Sequence, residues 1–273
     1  MSRIRAIVLL MAFLLFTLPL MPVQWGLIAV GSRFQRKFPH WYHRQVCRLL
    51  GVRFGIKGQL AAGKPVLIVA NHVSWLDIPV LSAIAPLSFI AKRQIGGWPF
   101  IGWLAKLQRS VFVDRERRTS VNDQRDLIRA RLAAGENIVL FAEGTTGEGG
   151  KILPFKSSLF GVLGFDGGSQ NGVVIQTLTI AYTRLHGLPI GRGERPSVAW
   201  YGDMEAAGHA FALLGIGPVD VEIRIGQPID MALFPDRKAL AEFTEAEIGR
   251  TFRGLVRPQL AKPAALDAPA GNG

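Results

Sequence analysis

The longest hydrophobic pattern in the chain is the uncharged run from Ala6 to Ser32, AIVLLMAFLLFTLPLMPVQWGLIAVGS. It exceeds the ~20 apolar residues that a helix needs to cross a bilayer and the ~7–15 residues of a signal-peptide core. Pro19 and Pro22 each lack a backbone donor, and together they predict a kink or a re-entrant hairpin instead of one straight helix. We therefore expect a permanent membrane anchor.

A basic and aromatic stretch follows the anchor, with the sequence FQRKFPHWYHRQVCRLLG. Its spacing predicts an interfacial helix whose cations meet anionic lipid. The rings of Phe38, Trp41 and Tyr42 suit either the headgroup level of a membrane or packing against the main domain. Together with the apolar run, this helix makes an N-terminal membrane-binding segment over residues 1–50.

From Val52 onward, short apolar stretches alternate with helical ones. The predicted strands are VRFGIK, VLIVA, SFIAK, VFVD, NIVLFAE, VVIQTLTIAY, SVAWYG and VDVEIRIG, and the predicted helices are TSVNDQRDLIRARLAAG and RKALAEFTEAEIGRTFRGLVRPQL. This alternation predicts an α/β fold, with a mixed, mostly parallel sheet flanked by helices. We expect this domain to cover residues 51–261, and residues 262–273 to form a disordered tail.

Composition adds a charge argument to this picture. The chain combines 49% hydrophobic residues with a net charge of +12, which suits a membrane surface. Nucleic acid is not expected as a partner, because the Lys and Arg residues are spread along the chain without a nucleic-acid-binding motif. The single Cys47 excludes an internal disulfide and zinc fingers, and we interpret it as a packing residue in a reducing compartment.

The candidate chemistry begins where the strand VLIVA ends in NHVSWLD, residues 71–77. A turn into a helix beginning near Trp75 would let Asp77 fold back onto His72 and fix its tautomer. Such a pair suggests a base that activates a substrate hydroxyl directly. Two alternatives remain: a capping Asn71 with a packed His and a surface Asp, or a hydrolase with Ser74 as nucleophile, although no G-x-S-x-G elbow surrounds it.

Two further strands also end in polar residues. VFVDR places Arg115 where its guanidinium can bind a phosphate or carboxylate, or pair with a neighbouring acid. NIVLFAEGTTGEGGKILPFK ends in an acid and a Gly-rich segment that can present amide donors to a ligand, and its candidate residues are Glu143, Gly144, Thr145, Thr146 and Lys156. The spacing of His72, Asp77 and Glu143 does not favour a metal site.

These three stretches, in this order, resemble the motifs of the glycerolipid acyltransferases related to 1-acylglycerol-3-phosphate acyltransferase. NHVSWLD is similar to their N-H-x-x-x-x-D motif, PFIG through VFVDR to their second block, and FAEGTTG to their F-P-E-G-T-R-S block. The resemblance covers roughly residues 52–225 and implies the fold of that family. It also implies that His72 is a general base oriented by Asp77, and that no acyl-enzyme intermediate forms.

The same resemblance implies roles at the acceptor for several other residues. It makes Asn71, Arg115, Glu143, Gly144 and Thr145 residues that bind the acceptor or shape its site. Thr146 stands where the family usually has Arg, Ala142 replaces a proline, and Gln176 occupies another proline position. Loss of the guanidinium removes charge-assisted bonds worth on the order of 1.5–3 kcal/mol, which makes a phosphate-bearing acceptor less favoured.

Glu148 adds an acid beside this segment, which suits an acceptor headgroup that carries an amine. FAEGTTGEG together with VAWYGDM, where Asp203 and Glu205 are surface acids or headgroup contacts, resembles the branch that acylates lyso-ornithine lipid. The expected acceptor is therefore lyso-ornithine lipid, with lysophosphatidate as the alternative. A non-catalytic lipid-binding protein is the alternative of another class.

The resemblance implies an acyl thioester as co-substrate, carried by acyl carrier protein or coenzyme A, with no further cofactor. Both carriers are anionic, so a basic protein attracts either of them. The expected location is the inner membrane, with the catalytic domain on its cytoplasmic side.

Overall fold

The computed structural model describes residues 2–113, 121–163 and 173–257. Within these residues, eight strands form one sheet: β1 (Val52–Lys57), β2 (Val66–Ala70), β3 (Leu87–Lys92), β4 (Val111–Val113), β5 (Asn137–Phe141), β6 (Val174–Leu185), β7 (Leu188–Pro189) and β8 (Val219–Ile229). The helices of the same ranges are α1 (Arg3–Ala29), α2 (Phe38–Leu50), α3 (Asp77–Ile84), α4 (Ile101–Leu107), α5 (Val121–Ala133), α6 (Ala206–Ile216) and α7 (Arg237–Val256).

The strand order is β1-β8-β6-β2-β5-β3-β4, and β7 pairs with β6 outside this path. Strands β6, β2, β5, β3 and β4 run parallel to one another, whereas β8 is antiparallel to β6. This arrangement confirms the predicted mixed, mostly parallel sheet. Because β2 and β5 are adjacent and parallel, the segments that follow their carboxyl ends meet at one edge of the sheet.

Strand β2 shows why the sequence forms a covered sheet. All five of its residues are buried, as expected of a central parallel strand with helices on both faces. Ile68 and Ala70 point into one hydrophobic cluster, while Leu67 and Val69 point into the cluster on the opposite face. Each large aliphatic side chain buried in this way contributes about 1.5–3 kcal/mol to folding.

Helix α1 is continuous through Pro19 and Pro22, so the predicted hairpin is wrong. The helix packs against α2, α4 and α6, and these contacts support it where the two prolines remove backbone hydrogen bonds. Its inner face buries Ala6, Thr17 and Gln24. Its outer face exposes large apolar side chains, among them Ile4, Val8, Met11, Leu15, Leu18 and Trp25.

The predicted interfacial helix is present as α2, after a short 3-10 helix at Arg33–Arg36. Its rings differ in burial. Tyr42 packs inward, where its hydroxyl lies 2.7 Å from the hydroxyl of Thr17 and its ring stacks on Phe16. Trp41, by contrast, is 44% exposed.

One predicted strand, SVAWYG, is wrong, because residues 197–202 contain no strand. A 3-10 helix at Arg192–Ser197 precedes it, and Pro196 within that helix has no backbone donor for a sheet. Helices α4 and α6 were not predicted. The end of the predicted C-terminal helix and the tail at 262–273 lie outside the described residues.

Candidate active site

The segment from residue 71 to residue 77, here called the catalytic turn, connects β2 to α3 at the carboxyl edge of the sheet. Asp77 is fully buried at the first position of α3. Its Oδ2 accepts hydrogen bonds from Nδ1 of His72 at 2.7 Å and from the backbone N–H groups of Val73 at 2.7 Å and Ser74 at 3.0 Å. The carboxylate therefore folds back onto the turn, and α3 begins at Asp77, two residues after Trp75, as the sequence predicts.

The hydrogen bond to Asp77 assigns the tautomer of His72. Nδ1 carries the proton that is donated to the carboxylate, so Nε2 keeps its lone pair. The imidazole stacks on the ring of Phe141 with centroids 3.8 Å apart and planes 11° apart. The side chain remains 17% exposed, and this arrangement leaves Nε2 able to take a proton from a bound molecule.

Strand β6 supports the catalytic turn through the hydroxyl of Tyr182 and the backbone of Ile180. The hydroxyl of Tyr182 donates to Oδ1 of Asp77 at 2.7 Å. Burial raises the pKa of Tyr182 well above its ordinary value, and the negative charge of Asp77 adds to the effect. The carboxamide of Asn71 donates to the carbonyl of Ile180 and accepts from its N–H, both at 2.9 Å. Asn71, predicted to bind substrate, is fully buried and joins β2 to β6 instead.

Glu143, two residues beyond the end of β5, also supports the turn. Its Oε1 accepts the backbone N–H of His72 and its Oε2 accepts that of Leu153, both at 2.8 Å. The side chain is buried. Burial raises the pKa of Glu143 to about 7, against the two backbone bonds that lower it, and nearby Asp77 and Glu245 raise it further. Glu143 therefore shapes the site from behind His72.

The Gly-rich segment leaves the sheet after Ala142 and returns at Lys156, whose N–H donates to the carbonyl of Ala142 at 2.9 Å. The N–H of Gly147 donates to the carbonyl of His72 at 2.9 Å, which places the segment directly against the catalytic turn. Thr145 is exposed and Thr146 is half-buried. Gly144, also predicted to shape the site, is buried at the start of the segment.

Gly149 explains why this segment needs glycine. It adopts a φ of +75°, and a Cβ there would lie 3.3 Å from Val73 and 3.4 Å from Ala199. The segment therefore packs tightly between the catalytic turn and the residues around Ala199. Glu148 and Lys156, on either side of this contact, are exposed.

Several sequence predictions have other outcomes. Arg115 lies outside the described residues. Ser74 is fully buried, and its Oγ accepts the N–H of Leu76 at 3.4 Å, so it is not available as a hydrolase nucleophile. Glu205 caps α6 through the N–H groups of Ala207 and Gly208. Among residues 2–113, 121–163 and 173–257, no group of three or more His, Cys, Asp or Glu is arranged to hold a metal ion.

Gln176 does not belong to the site. Its Oε1 accepts the N–H of Ala61 at 2.7 Å, and its Nε2 donates to the carbonyls of Gln59 and Gly226. In the sheet register Gln176 lies opposite Ile68, in the middle of β2 and away from the carboxyl edge. This departure from the family pattern therefore has a structural role and carries no information about the acceptor.

Sequence reasoning missed three groups that complete the surroundings of the turn. They are Tyr182, Phe141 and Arg195, whose guanidinium donates to the carbonyl of Gly149 at 2.5 Å and to that of Val256 at 3.3 Å. Phe141 is the last residue of a predicted strand, so its position beside His72 follows from the pairing of β2 with β5. Tyr182 and Arg195 carry no local sequence signal.

Comparison with known proteins agrees with this geometry. The family model described as Acyltransferase matches residues 51–180. The lyso-ornithine lipid O-acyltransferase of Brucella abortus is 43% identical over 90% of this chain and 93% of its own length. The lyso-ornithine lipid O-acyltransferase of Rhizobium meliloti is 40% identical, over 92% of this chain and 85% of its own length.

A more distant relative, the 1-acyl-sn-glycerol-3-phosphate acyltransferase of Neisseria gonorrhoeae, is 31% identical over 70% of this chain and 76% of its own length. The crystal structure of the 1-acyl-sn-glycerophosphate acyltransferase PlsC from Thermotoga maritima superimposes with a TM-score of 0.67. The superposition covers 93% of this chain and 98% of the PlsC chain, at 20% sequence identity, and it confirms the predicted fold. The alternative of a non-catalytic lipid-binding protein is therefore wrong, and the chain belongs to the acyltransferase family.

Proposed function

We propose that this acyltransferase moves an acyl chain from an acyl thioester to the hydroxyl group of a lysolipid, with His72 as the general base. The observation that carries the proposal is the 2.7 Å hydrogen bond between Nδ1 of His72 and Asp77. It leaves Nε2 as the basic atom on a ring that is partly exposed, at 17%. Asp77 in turn stabilises the imidazolium that forms when Nε2 takes a proton.

In the reaction that we infer, Nε2 of His72 accepts the proton of the acceptor hydroxyl as its oxygen attacks the thioester carbonyl carbon. A carbon–oxygen bond forms, the carbon–sulfur bond breaks, and the departing thiolate receives the proton from the imidazolium. No acyl-enzyme intermediate is needed, since a thioester is already activated. The enzyme supplies a base and holds the two substrates together.

Replacement of the proposed base tests this mechanism. We expect His72→Ala to lower kcat by about 10³-fold, within the range of general base catalysis, in protein that remains folded. His186→Ala, which removes an exposed histidine in the turn after β6, is the matched control and keeps full activity. Full activity of His72→Ala would refute the mechanism.

The acceptor that we propose is lyso-ornithine lipid, whose headgroup is zwitterionic and phosphate-free. The supporting observations are the neutral Thr146 at the position where the family usually has Arg, and the exposed acid Glu148 beside the catalytic turn. The two relatives that carry this acceptor in their names also support the assignment. The Neisseria relative supports lysophosphatidate as the second candidate.

A competition between the two acceptors tests the assignment. Purified protein is given a labelled acyl thioester with either lyso-ornithine lipid or lysophosphatidate, and we expect preferential acylation of the former. Thr146→Arg restores the guanidinium and should raise the use of lysophosphatidate, whereas Thr145→Arg adds the same charge one residue away and should not. Acylation of lysophosphatidate alone would overturn the acceptor and leave the family unaffected.

The donor in this proposal is a thioester of acyl carrier protein or of coenzyme A. Both carriers are anionic, and the net charge of +12 attracts either of them. The same assay with each thioester at equal concentration identifies the donor by its kcat/KM. No metal or other cofactor takes part in the proposed steps.

We also propose that the protein lies on the cytoplasmic face of the inner membrane, where acyl thioesters are available. Helix α1 is long and apolar enough to cross a membrane, but it is bound to the domain near both ends. Arg5 donates to the carbonyl of Leu214, and Gln24 donates to that of Leu107 at 2.9 Å. These residues are about 28 Å apart along the helix, close to the ~30 Å of a hydrocarbon core. A crossing helix would therefore pull the attached domain into lipid, and a position along the membrane surface fits the contacts better.

A further inference from the structure

The catalytic turn has one tertiary bond that the mechanism above does not use. The indole Nε1 of Trp75 donates a hydrogen bond to Nδ1 of His209, in the first turn of α6, at 3.0 Å. The two rings are nearly perpendicular, at 88°. His209 is only 7% exposed. Trp75 lies between His72 and Asp77 in sequence, so this bond connects the centre of the turn to a helix 134 residues away.

The chemistry of the pair determines the state of His209. An indole N–H can only donate, so Nδ1 of His209 must be unprotonated. Burial lowers the pKa of His209, which keeps the ring neutral. The remaining proton is then on Nε2, which lies near the carbonyls of Pro196 and Ala199 without reaching hydrogen-bond geometry with either.

Helix α6 is itself held at both ends. Glu205 accepts the N–H groups of Ala207 and Gly208 at its start. At its end, Arg5 of α1 donates to the carbonyl of Leu214, and the N–H of Ser2 donates to that of Gly215 at 3.4 Å. His209 is therefore carried by a fixed element, which is the kind of support that a precisely placed site requires.

The other long-range bonds of the turn run to different parts of the fold. Asp77 and Asn71 bond to β6, and His72 bonds to Glu143 and to the Gly-rich segment. Val73 accepts the N–H of Trp200 at 3.0 Å. Within the described ranges, the Trp75 bond is the side-chain hydrogen bond that ties the turn to α6. Residues 71–76 belong to neither β2 nor α3, so their position depends on such bonds.

We propose that His209 is a positioning residue for the acyl transfer: through Trp75 it holds the catalytic turn against α6 and thereby sets the direction of Nε2 of His72. This inference rests on the proposed role of His72 as base. His209 does not contact the reacting atoms. Its effect arises because proton transfer depends steeply on placement, and a shift of about 1 Å can cost 10²-fold in rate.

A double-mutant cycle tests this proposal. His209→Leu removes the acceptor at similar size, and Trp75→Phe removes the donor while keeping an aromatic ring. We expect each change to lower kcat about tenfold, because a neutral hydrogen bond is lost, with KM changed less than about twofold. The double variant should be no slower than the slower single variant. The substrates are a labelled acyl thioester and the lysolipid that the unsubstituted protein acylates.

Two further variants separate positioning from a general loss of stability. His209→Asn places Oδ1 near the position of Nδ1, so it should recover most of the lost kcat. His40→Leu is the matched control, since it removes a half-buried histidine whose Nδ1 bonds the carbonyl of Ser82, near the C-terminal end of α3 and away from the catalytic turn. It should lower the thermal midpoint comparably and leave kcat unchanged.

Each outcome decides the question. Unchanged kcat in folded His209→Leu, multiplied losses in the double variant, or a loss confined to KM would overturn the positioning role. If His209→Leu does not fold, Trp75→Phe and His209→Asn give the answer by the same criteria. Activity that survives His72→Ala would instead refute the proposed function itself, so the two failures are distinguishable.

Discussion

At the scale of single residues, the carboxyl group of Glu143 is the clearest example of a site property created by burial. The group is enclosed behind His72, and its pKa rises to about 7 mainly because burial disfavours the charged form. The folded protein therefore holds this proton more tightly than the unfolded chain does. The resulting contribution to stability is fully present below the ordinary pKa of 4.5 and is lost as pH rises to about 7.

Glu143→Gln should remove this pH dependence. Between pH 5 and pH 8 we expect the free energy of unfolding of the unsubstituted protein to fall relative to the variant, by on the order of 3 kcal/mol. Urea unfolding at several pH values measures the difference. Glu148→Gln, which changes an exposed acid on the same segment, serves as control and should keep the original slope. An identical slope in all three proteins would contradict the assignment to Glu143.

At the scale of elements, the site depends on how β2 is joined to its neighbours. Asn71 links the carboxyl end of β2 to β6 through two hydrogen bonds with Ile180. Asn137, at the opposite end, links β5 to the start of β2 by accepting the N–H of Val66 at 2.9 Å. Two asparagines therefore hold the two ends of one strand, and only Asn71 lies beside the catalytic turn.

Asn71→Ala should destabilise the protein by roughly 2–4 kcal/mol, because it leaves a buried N–H and a buried carbonyl of Ile180 without partners. Urea unfolding measures this loss. In the fraction that remains folded we expect kcat to fall and the KM for the acceptor to stay unchanged. Asn137→Ala, the matched control, should cost about 1 kcal/mol and preserve kcat. A raised KM in Asn71→Ala would restore the predicted substrate-binding role.

At the scale of the whole molecule, the part of the chain that the structure describes presents an extended apolar face on α1. Helix α1 presents Leu15 and Leu18 to the outside, at 70% and 53% exposure, along a face that continues to Trp25. The segment that follows α1 in the sequence carries the basic residues Arg33, Arg36 and Lys37. An apolar face beside cations is suited to the boundary of an anionic bilayer, and it places the attached acyltransferase domain next to its lipid substrate.

Leu18→Lys should weaken binding to vesicles that contain anionic lipid, since a charge replaces an apolar group at the membrane boundary. We expect the fraction that sediments with vesicles to fall while the thermal midpoint stays unchanged. Leu127→Lys provides the control: Leu127 is similarly exposed, at 50%, but lies on α5, so binding should persist. Equal losses in both variants would exclude α1 as the binding face.

Most strands were predictable, because apolar runs such as VLIVA and NIVLF are bounded by polar or glycine residues. Helix α6 was not, since AAGHAFALLGI is apolar on all sides and lacks the period of a surface helix. The structure supplies the reason: α1 packs against α6 and covers part of its apolar surface. The strand predicted for SVAWYG is absent although its pattern is apolar. Its apolar residues pack against the catalytic turn without joining the sheet.

The sequence by itself determined the chemistry of the catalytic turn, because His72 and Asp77 lie within seven residues and a single turn brings them together. The meeting of the segments after β2 and β5 at one edge was decided by the tertiary structure, because it depends on the pairing of these two strands. Only the tertiary structure decided that Asn71 joins strands, that Glu143 supports His72, and that Tyr182 and His209 reach the turn. Those contacts join residues 71 to 134 positions apart, and they depend on strand register and helix packing, which local patterns of residues do not specify.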